Sequence, residues 1–155
     1  PSSEELVQCI NEQMVEGVRI LSAVALPDDS KNAMSIVATA DYRISFREGM
    51  SPDFELSSAI REFMAQDKIM VTKKTKKSEK TMDIKPMIRV FRGEGDGCFM
   101  NVATGSTQNL KPEQVMATLY QFFGREFDPF TIYIHREETY GADFKPLEAY
   151  GNRIL

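Results

Sequence analysis

The sequence predicts an α+β protein, and three observations lead to this prediction. Three segments repeat apolar residues at the spacing of one helix face. Other segments alternate apolar and polar residues or are rich in branched residues, as strands are. The length of 155 residues, with 42% hydrophobic and 27% charged residues, is typical of a globular protein that can bury a core. Each predicted helix is apolar on one side only, so a sheet or another helix has to cover that side.

The three predicted helices begin at recognisable signals. The first covers residues 2–16 and opens with a capping box of Ser2 and Glu5. The second and third open with Pro52 and Pro112, because the fixed φ of proline suits the first helical position. Their apolar stripes are formed by Leu6, Cys9, Ile10 and Met14, by Leu56, Ile60, Phe63 and Met64, and by Val115, Leu119, Phe122 and Phe123.

The strand patterns complete a familiar order. Strands are predicted at residues 18–26, 42–46, 68–72, 82–91, 98–103 and 130–136. Pro86 places the fourth of these at a sheet edge or a bulge, because proline cannot donate to a strand ladder. From Tyr42 onward the order matches a ferredoxin-like βαββαβ unit, an antiparallel sheet with two helices on one face. The helix and strand before Tyr42 match only the second half of such a unit.

The chain is therefore expected to contain one and a half repeats, a tandem ferredoxin-like remnant. We predict an αβ half-repeat with its connection over residues 1–35 and the ferredoxin-like unit over residues 36–139. Residues 140–155 show no clear period, and they predict an irregular C-terminal tail.

The charge of the chain is distributed unevenly. The formal net charge of −4 and a sequence pI near 5.1 argue against a nucleic-acid partner, because phosphate recognition normally leaves a basic footprint. Between residues 68 and 92, however, nine basic residues stand against two acidic ones, so this segment carries +7 and the other 130 residues carry −11. The acidic average therefore does not exclude RNA.

Five of these basic residues lie within eight positions where two strand patterns meet, which predicts a basic loop projecting from the sheet. Such a loop can approach phosphates or an acidic protein surface. The alternative is a solvated loop that protects a sheet edge from aggregation, since lysine is a common edge residue. Together with the following Lys85, the candidate anion-binding lysines are Lys73, Lys74, Lys76, Lys77 and Lys80.

A second candidate anion site precedes the third helix. The loop over residues 104–112 is rich in Gly, Ser and Thr, and it leads into a helix N-terminus, where free N–H groups can face a phosphate. The alternative is an ordinary connection between a strand and a helix. The candidate contacts are Ser106, Asn109 and Lys111.

Residues that could support catalysis or bind a metal are few. Cys9, Cys98 and the single His135 provide too few ligands for a recognisable zinc site, and no motif indicates a cofactor. Asp83, His135 and Arg136 form a candidate polar site, although a lone histidine is more often structural. The sequence favours a non-catalytic protein in the reducing cytoplasm, with both thiols buried. Its apolar stretches are short and no basic start precedes them, so neither secretion nor membrane insertion is indicated.

Several motifs resemble one bacterial family. Residues 75–88, Thr-Lys-Lys-Ser-Glu-Lys-Thr-Met-Asp-Ile-Lys-Pro-Met-Ile, resemble the Lys-rich motif ending in Asp-Ile-Arg-Pro of the uncharacterised radical SAM-linked proteins. Residues 105–112 are similar to that family's Gly-Ser, Asn-Leu, Arg-Pro helix start. Residues 40–42 and 134–136 stand where it has a strand-opening Tyr and a late Arg. Lys85 replaces the motif's Arg, which keeps the charge but loses a bidentate fork.

This resemblance implies a partner and a boundary. Members of the family are often encoded beside, or fused to, radical S-adenosylmethionine proteins with a cobalamin-binding domain, so a radical SAM protein is the expected partner. Members usually begin with roughly another half-repeat, so the chain is expected to be N-terminally truncated. The iron–sulfur motif of a radical enzyme is absent from this sequence, so the chain cannot hold such a cluster alone.

The resemblance and the basic loop together suggest an accessory domain that binds tRNA or rRNA and presents it to the radical enzyme. The candidate lysines would contact phosphates, with the helix start as a second contact. One alternative is a protein-interaction module whose basic loop docks on an acidic face of the radical enzyme. Another is an RNA-modifying enzyme with a pseudouridine-synthase-like fold, although the Arg-Thr-Asp-x-Gly signature of those enzymes is absent. That enzyme would need an Asp such as Asp83 in a polar cleft.

Overall fold

Four strands form the main sheet of the computed structural model, which describes all 155 residues. In the order β4-β5-β1-β6, each strand is antiparallel to its neighbours. A second sheet consists of β2 and β3 alone. The strands are β1 (Val37–Phe46), β2 (Met70–Lys74), β3 (Glu79–Asp83), β4 (Ile88–Glu94), β5 (Gly97–Ala103) and β6 (Ile132–Gly141). The helices are α1 (Ser3–Asn11), α2 (Ala33–Ile36), α3 (Leu56–Met64) and α4 (Pro112–Phe122).

The core lies between one face of the main sheet and the helices α3 and α4. Alternate residues of β1, namely Ala40, Tyr42 and Ile44, are buried in a cluster of 20 residues. Their partners on β5 in the same register belong to the same cluster, as do the buried faces of α3 and α4. Both helices therefore cover the same face of the sheet. The predicted α+β class and antiparallel sheet are confirmed.

The segment predicted as a strand at residues 18–26 is not one, and this prediction is wrong. Within this segment only Ala25 forms a bridge, with Asn152. Branched residues favour extended backbone, whereas a strand also needs a neighbour, and the main sheet offers none here. Instead, the side chain of Asn11 accepts from the N–H of Ile20 at 2.7 Å and donates to its carbonyl at 2.9 Å. The first helix accordingly ends at Asn11, earlier than predicted.

The predicted strand over residues 82–91 is two strands in different sheets. β3 ends at Asp83, a 3₁₀ turn covers Lys85–Met87, and β4 begins at Ile88. Pro86 lies in the turn and not at a sheet edge or bulge, because its fixed φ and missing N–H suit a turn better than a ladder. The last strand is longer than predicted and continues to Gly141.

The C-terminal residues are tied to the N-terminal segment. The N–H of Ser3 donates to the carbonyl of Ile154 at 2.9 Å, and the N–H of Ile154 donates to Oγ of Ser3 at 2.9 Å. Ala25 and Asn152 exchange two further backbone hydrogen bonds. These bonds attach both ends of the chain to each other.

Candidate functional site

The basic segment forms an ordered β-hairpin, where the sequence predicted a loop. We call residues 70–83, which comprise β2, β3 and their turn, the basic hairpin. The turn is closed by the N–H of Thr75, which donates to the carbonyl of Ser78 at 2.8 Å. Five exposed lysines decorate the hairpin: Lys73 and Lys74 on β2, Lys76 and Lys77 in the turn, and Lys80 on β3.

The register of the basic hairpin places two of these lysines directly opposite each other. Lys73 pairs with Lys80, while Lys74 pairs with Glu79 and forms an ion pair with it at 3.1 Å. Like charges opposite one another destabilise a strand pair. On the face of Lys73 and Lys80, the preceding pair of Val71 and Met82 packs against the core. The hairpin thus changes from an apolar base to a cationic tip along one face.

Asp83 fixes the base of the basic hairpin. Its Oδ1 atom accepts from the N–H groups of Ile69 at 2.8 Å and Lys85 at 3.0 Å. The N–H of Ile84 donates to the carbonyl of Ile69 at 2.8 Å, and both isoleucine side chains are buried. These hydrogen bonds, first that from Ile69, hold the pKa of Asp83 below its usual range. Asp83 therefore braces the structure, which weighs against a catalytic role.

Lys85 connects the base of the basic hairpin to helix α3. Its half-buried ammonium donates to the backbone carbonyl of Gln66, just beyond the C-terminal end of α3. A cation at this end also interacts favourably with the helix dipole. Lys85 is thus engaged within the fold, whereas the five lysines of the basic hairpin face solvent.

Residues of the second candidate site line a groove of about 480 Å³ between β1, β6 and the start of α4, which we call the helix-start groove. Asn109 and Lys111 lie here together with Arg136, which the sequence had placed in a different cluster. The Arg136 guanidinium lies over the Tyr42 ring, 5.5 Å from its centroid, and it forms no ion pair. Ser106 is exposed in the preceding loop and does not line the groove.

The basic hairpin and the helix-start groove lie at the same end of the main sheet. β4 follows the hairpin and begins at Ile88, opposite Val102 near the end of β5. The loop to α4 leaves β5 at Ala103, and the N–H of Leu110 donates back to the Ala103 carbonyl at 2.8 Å. Both cationic features therefore flank the end of β5.

The three residues of the candidate polar site do not come together. His135 and Arg136 are neighbours on β6, and neighbouring residues on a strand face opposite sides of the sheet. His135 lies opposite Arg43 and Arg136 lies opposite Tyr42, while Asp83 belongs to the other sheet. No single cleft contains this set, because its members were grouped by type and not by register.

Two polar clusters on the outer face of the main sheet were not predicted. Arg43 forms ion pairs with Glu94 at 2.5 Å and with Glu137 at 2.7 Å. Asp41 accepts from the amide of Asn101 at 2.8 Å and from the hydroxyl of Tyr140 at 2.7 Å, which raises the pKa of Tyr140 to about 12. The alternation of polar residues in β1 signals an outer face, but it does not identify the partners on β5 and β6.

The two thiols differ in their surroundings. Burial raises the pKa of Cys98 to about 12, so its thiol stays protonated and unreactive. Cys9 is exposed, which corrects the prediction that both thiols are buried. It lies on α1, whose apolar stripe the rest of the fold covers only in part. No group of three or more His, Cys, Asp or Glu side chains is placed to hold a metal ion.

We expect Asp83→Ala to loosen the base of the basic hairpin, because two N–H groups lose their acceptor. Hydrogen exchange at the Ile69 and Lys85 amides should accelerate, while Asp83→Asn, which retains an acceptor, should show a smaller change. In the native chain, a lowered carboxyl pKa stabilises the fold above the usual Asp range, and this contribution is lost as the pH falls below about 4. Exchange at these amides that does not respond to either substitution would contradict this role.

Comparison with known proteins gives one match. A family model described as "Uncharacterized protein conserved in bacteria (DUF2344)" matches residues 2–112, which include the basic hairpin and the loop to α4. No curated protein and no solved structure matches the chain. None of the helices combines the length and apolar character needed to span a bilayer.

Proposed function

The chain belongs to DUF2344, a family of uncharacterized proteins conserved in bacteria, and from this premise we propose that it is an accessory domain that binds RNA through the basic hairpin. The observation that carries the proposal is the ordered presentation of five exposed lysines, of which only Lys74 forms an ion pair. Ammonium groups held in this way attract the closely spaced phosphates of a nucleic acid and release its counterions on binding.

The stability of the basic hairpin argues that these lysines have a role beyond solubility. A two-stranded hairpin is only marginally stable by itself, and the Lys73–Lys80 pair weakens it further. β2 and β3 are the two edges of the small sheet, and lysines on an edge discourage pairing with another chain. Edge protection does not, however, require two lysines directly opposite each other and two more in the turn. A phosphate between Lys73 and Lys80 would convert their repulsion into attraction.

The helix-start groove supplies the second contact of the proposed site. Lys111 and Arg136 are both exposed and neither forms an ion pair. Glu113 is the one acidic residue that lines the groove, so the groove keeps a positive charge that can bind an anion. The main sheet is four strands wide, and about 14 Å separate β4 from β6 at the usual strand spacing. A polynucleotide crossing the end of β5 could therefore contact both cationic features.

Two further parts of the proposal concern the fold and the partner. Strand order β4-β5-β1-β6 and two helices on one face support a ferredoxin-like unit, with the basic hairpin inserted between α3 and β4. The motif resemblance supports a radical SAM protein in the cytoplasm as the enzyme to which the RNA is presented. In this arrangement the partner performs the chemistry, and this chain provides binding.

Salt dependence of RNA binding tests the proposal. If about five phosphates are neutralised, a plot of log affinity against log salt concentration should have a slope of about −3 to −4. The measurement is fluorescence anisotropy with labelled bacterial tRNA at several KCl concentrations from about 50 to about 300 mM. An affinity that does not change with salt, or no binding at the lowest concentration, would contradict the proposal.

An acidic protein surface is the other partner that fits five exposed ammonium groups. Co-purification of the chain with a radical SAM protein, before and after nuclease treatment, separates the two functions. RNA-dependent association supports the proposed function. Association that survives nuclease and is lost when the basic hairpin is reversed in charge would replace it with protein docking.

A further inference from the structure

We propose that the RNA bound by the basic hairpin is a double-helical stem, recognised through its two phosphate strands and not through its bases. This inference rests on the proposed RNA-binding function and specifies the form of the ligand. Its first support is chemical: residues 70–83 contain no aromatic residue and no arginine. Proteins that bind single-stranded RNA stack its bases on aromatic rings or guanidinium planes, and the basic hairpin offers neither.

Aromatic residues elsewhere do not provide a stacking platform for the same ligand. Phe130 and Tyr133 are exposed, but Tyr133 pairs with Ser45 near the opposite end of β1. This position lies about 20 Å along β1 from Thr39, which pairs with Ala103 at the end of β5, at the usual rise per strand residue. The Arg47 guanidinium already lies over the Tyr133 ring, 4.2 Å from the ring centroid.

The other aromatic rings that could stack with a base already contact side chains of the protein. Phe144 stacks against Tyr140 with 5.5 Å between the ring centroids, and the Arg89 guanidinium lies 3.2 Å from the Phe144 centroid. Tyr42 in the helix-start groove is buried, with Arg136 above it. A splayed base would have to displace these contacts, whereas a phosphate needs only the exposed cations.

The basic hairpin is long enough to lie across the mouth of a groove that has a row of phosphates on each side. Its strands of five residues are about 17 Å long and are separated by about 5 Å, which makes a narrow ribbon. Lys73 and Lys80 lie on one face, Lys74 lies on the other, and Lys76 and Lys77 lie at the turn. Base edges are inaccessible in the deep, narrow major groove of A-form RNA, but phosphates line both of its sides. Lys74 is paired with Glu79, so the cations free to bind are those at the turn and on the face of Lys73 and Lys80. Laid across the groove, these cations can contact phosphates of both strands of the duplex.

Competition between two RNAs tests this inference with the full chain. The binding of an RNA duplex of about 20 base pairs and of an oligouridine of about 20 nucleotides is compared by anisotropy at the same salt concentration. We expect the duplex to bind at least about tenfold more tightly, and a second duplex of scrambled sequence to bind within about twofold of the first. Equal or tighter binding of oligouridine would overturn the inference, as would strong discrimination between the duplexes.

The proposed function and this inference fail in different ways. If neither RNA binds, or if binding is unaffected by Lys73→Glu and Lys80→Glu together, RNA binding through the hairpin itself is wrong. If both RNAs bind through the hairpin and oligouridine is preferred, RNA binding stands and the duplex inference falls. Circular dichroism of the variant confirms that it has folded before its binding is measured.

Discussion

Reversing three charges in the basic hairpin, with Lys73→Glu, Lys76→Glu and Lys77→Glu, will reduce RNA affinity by roughly 200-fold at about 0.1 M salt. The estimate follows from counterion release, because each lost phosphate contact removes about 0.8 in log affinity at this salt concentration. The three side chains are exposed and form no ion pair in the fold. Anisotropy with labelled tRNA measures the loss, and the slope against log salt should become shallower by about 2 to 3.

The same charge reversal should not lower the free energy of unfolding and should slightly raise it. Lys73→Glu places an acidic residue opposite Lys80, so a repulsive cross-strand pair becomes attractive. We therefore expect the variant to unfold at the same urea concentration as the native chain or at a slightly higher one. A variant that loses RNA binding without losing stability separates a binding role from a structural one.

A matched control carries the same change in net charge at exposed positions far from the hairpin in sequence. Arg19→Glu, Lys31→Glu and Arg153→Glu together provide it, since all three side chains face solvent. Of the three, only Arg153 has an ion-pair partner, Glu4 at 3.9 Å, and both side chains of that pair are exposed. If affinity depends on the position of the cations, this control should retain RNA binding within about fivefold. A similar loss in both variants would attribute binding to overall charge and contradict a site on the basic hairpin.

How far the sequence predicts the fold depends on whether a pattern is local. The stripe of Val115 and Leu119 predicts α4, because a one-sided helix depends on its own spacing and on a sheet to cover it. The branched residues from 18 to 26 do not form a strand, because strand formation requires a partner that the local sequence does not specify. Pro86 lies between these two cases. The sequence predicts an irregularity in the strand at Pro86, but only the tertiary fold shows that the turn containing it separates two sheets.

In the candidate site, too, the local features can be predicted from the sequence and the contacts between distant segments cannot. The concentration of lysines is visible in the sequence, whereas their presentation depends on the hydrogen bonds that Asp83 accepts from the N–H groups of Ile69 and Lys85 at the hairpin base. Arg136 joins Lys111 in one groove because β6 pairs with β1 and α4 starts above this pair. Pairing of this kind is not local, so residues grouped by chemical type, such as Asp83 and His135, can lie in different sheets.

Support for the basic hairpin comes from the core beneath it, and Phe63→Ala should show how strong that support is. Phe63 is fully buried on α3, and its ring packs edge-on against Phe91 and Phe122 at centroid distances of 6.1 and 5.8 Å. Replacement by alanine should lower the free energy of unfolding by about 3 to 5 kcal/mol, from lost burial and the cavity that remains. Urea unfolding followed by circular dichroism measures this change.

Phe130→Ala is the matched control, because it removes the same side chain from a position that is 80% exposed. We expect its free energy of unfolding to stay within about 0.5 kcal/mol of the native value. The effect of Phe63→Ala should also reach the hairpin, because a loosened end of α3 shifts the backbone that holds Lys85. The carbonyl of residue 63 accepts from the side chain of Gln66, and the Gln66 carbonyl receives the Lys85 ammonium. Faster exchange at the Ile69 amide in Phe63→Ala, but not in Phe130→Ala, would connect core packing to the presentation of the lysines. Exchange at the Ile69 amide that accelerates equally in both variants, or in neither, would show that α3 does not anchor the hairpin in this way.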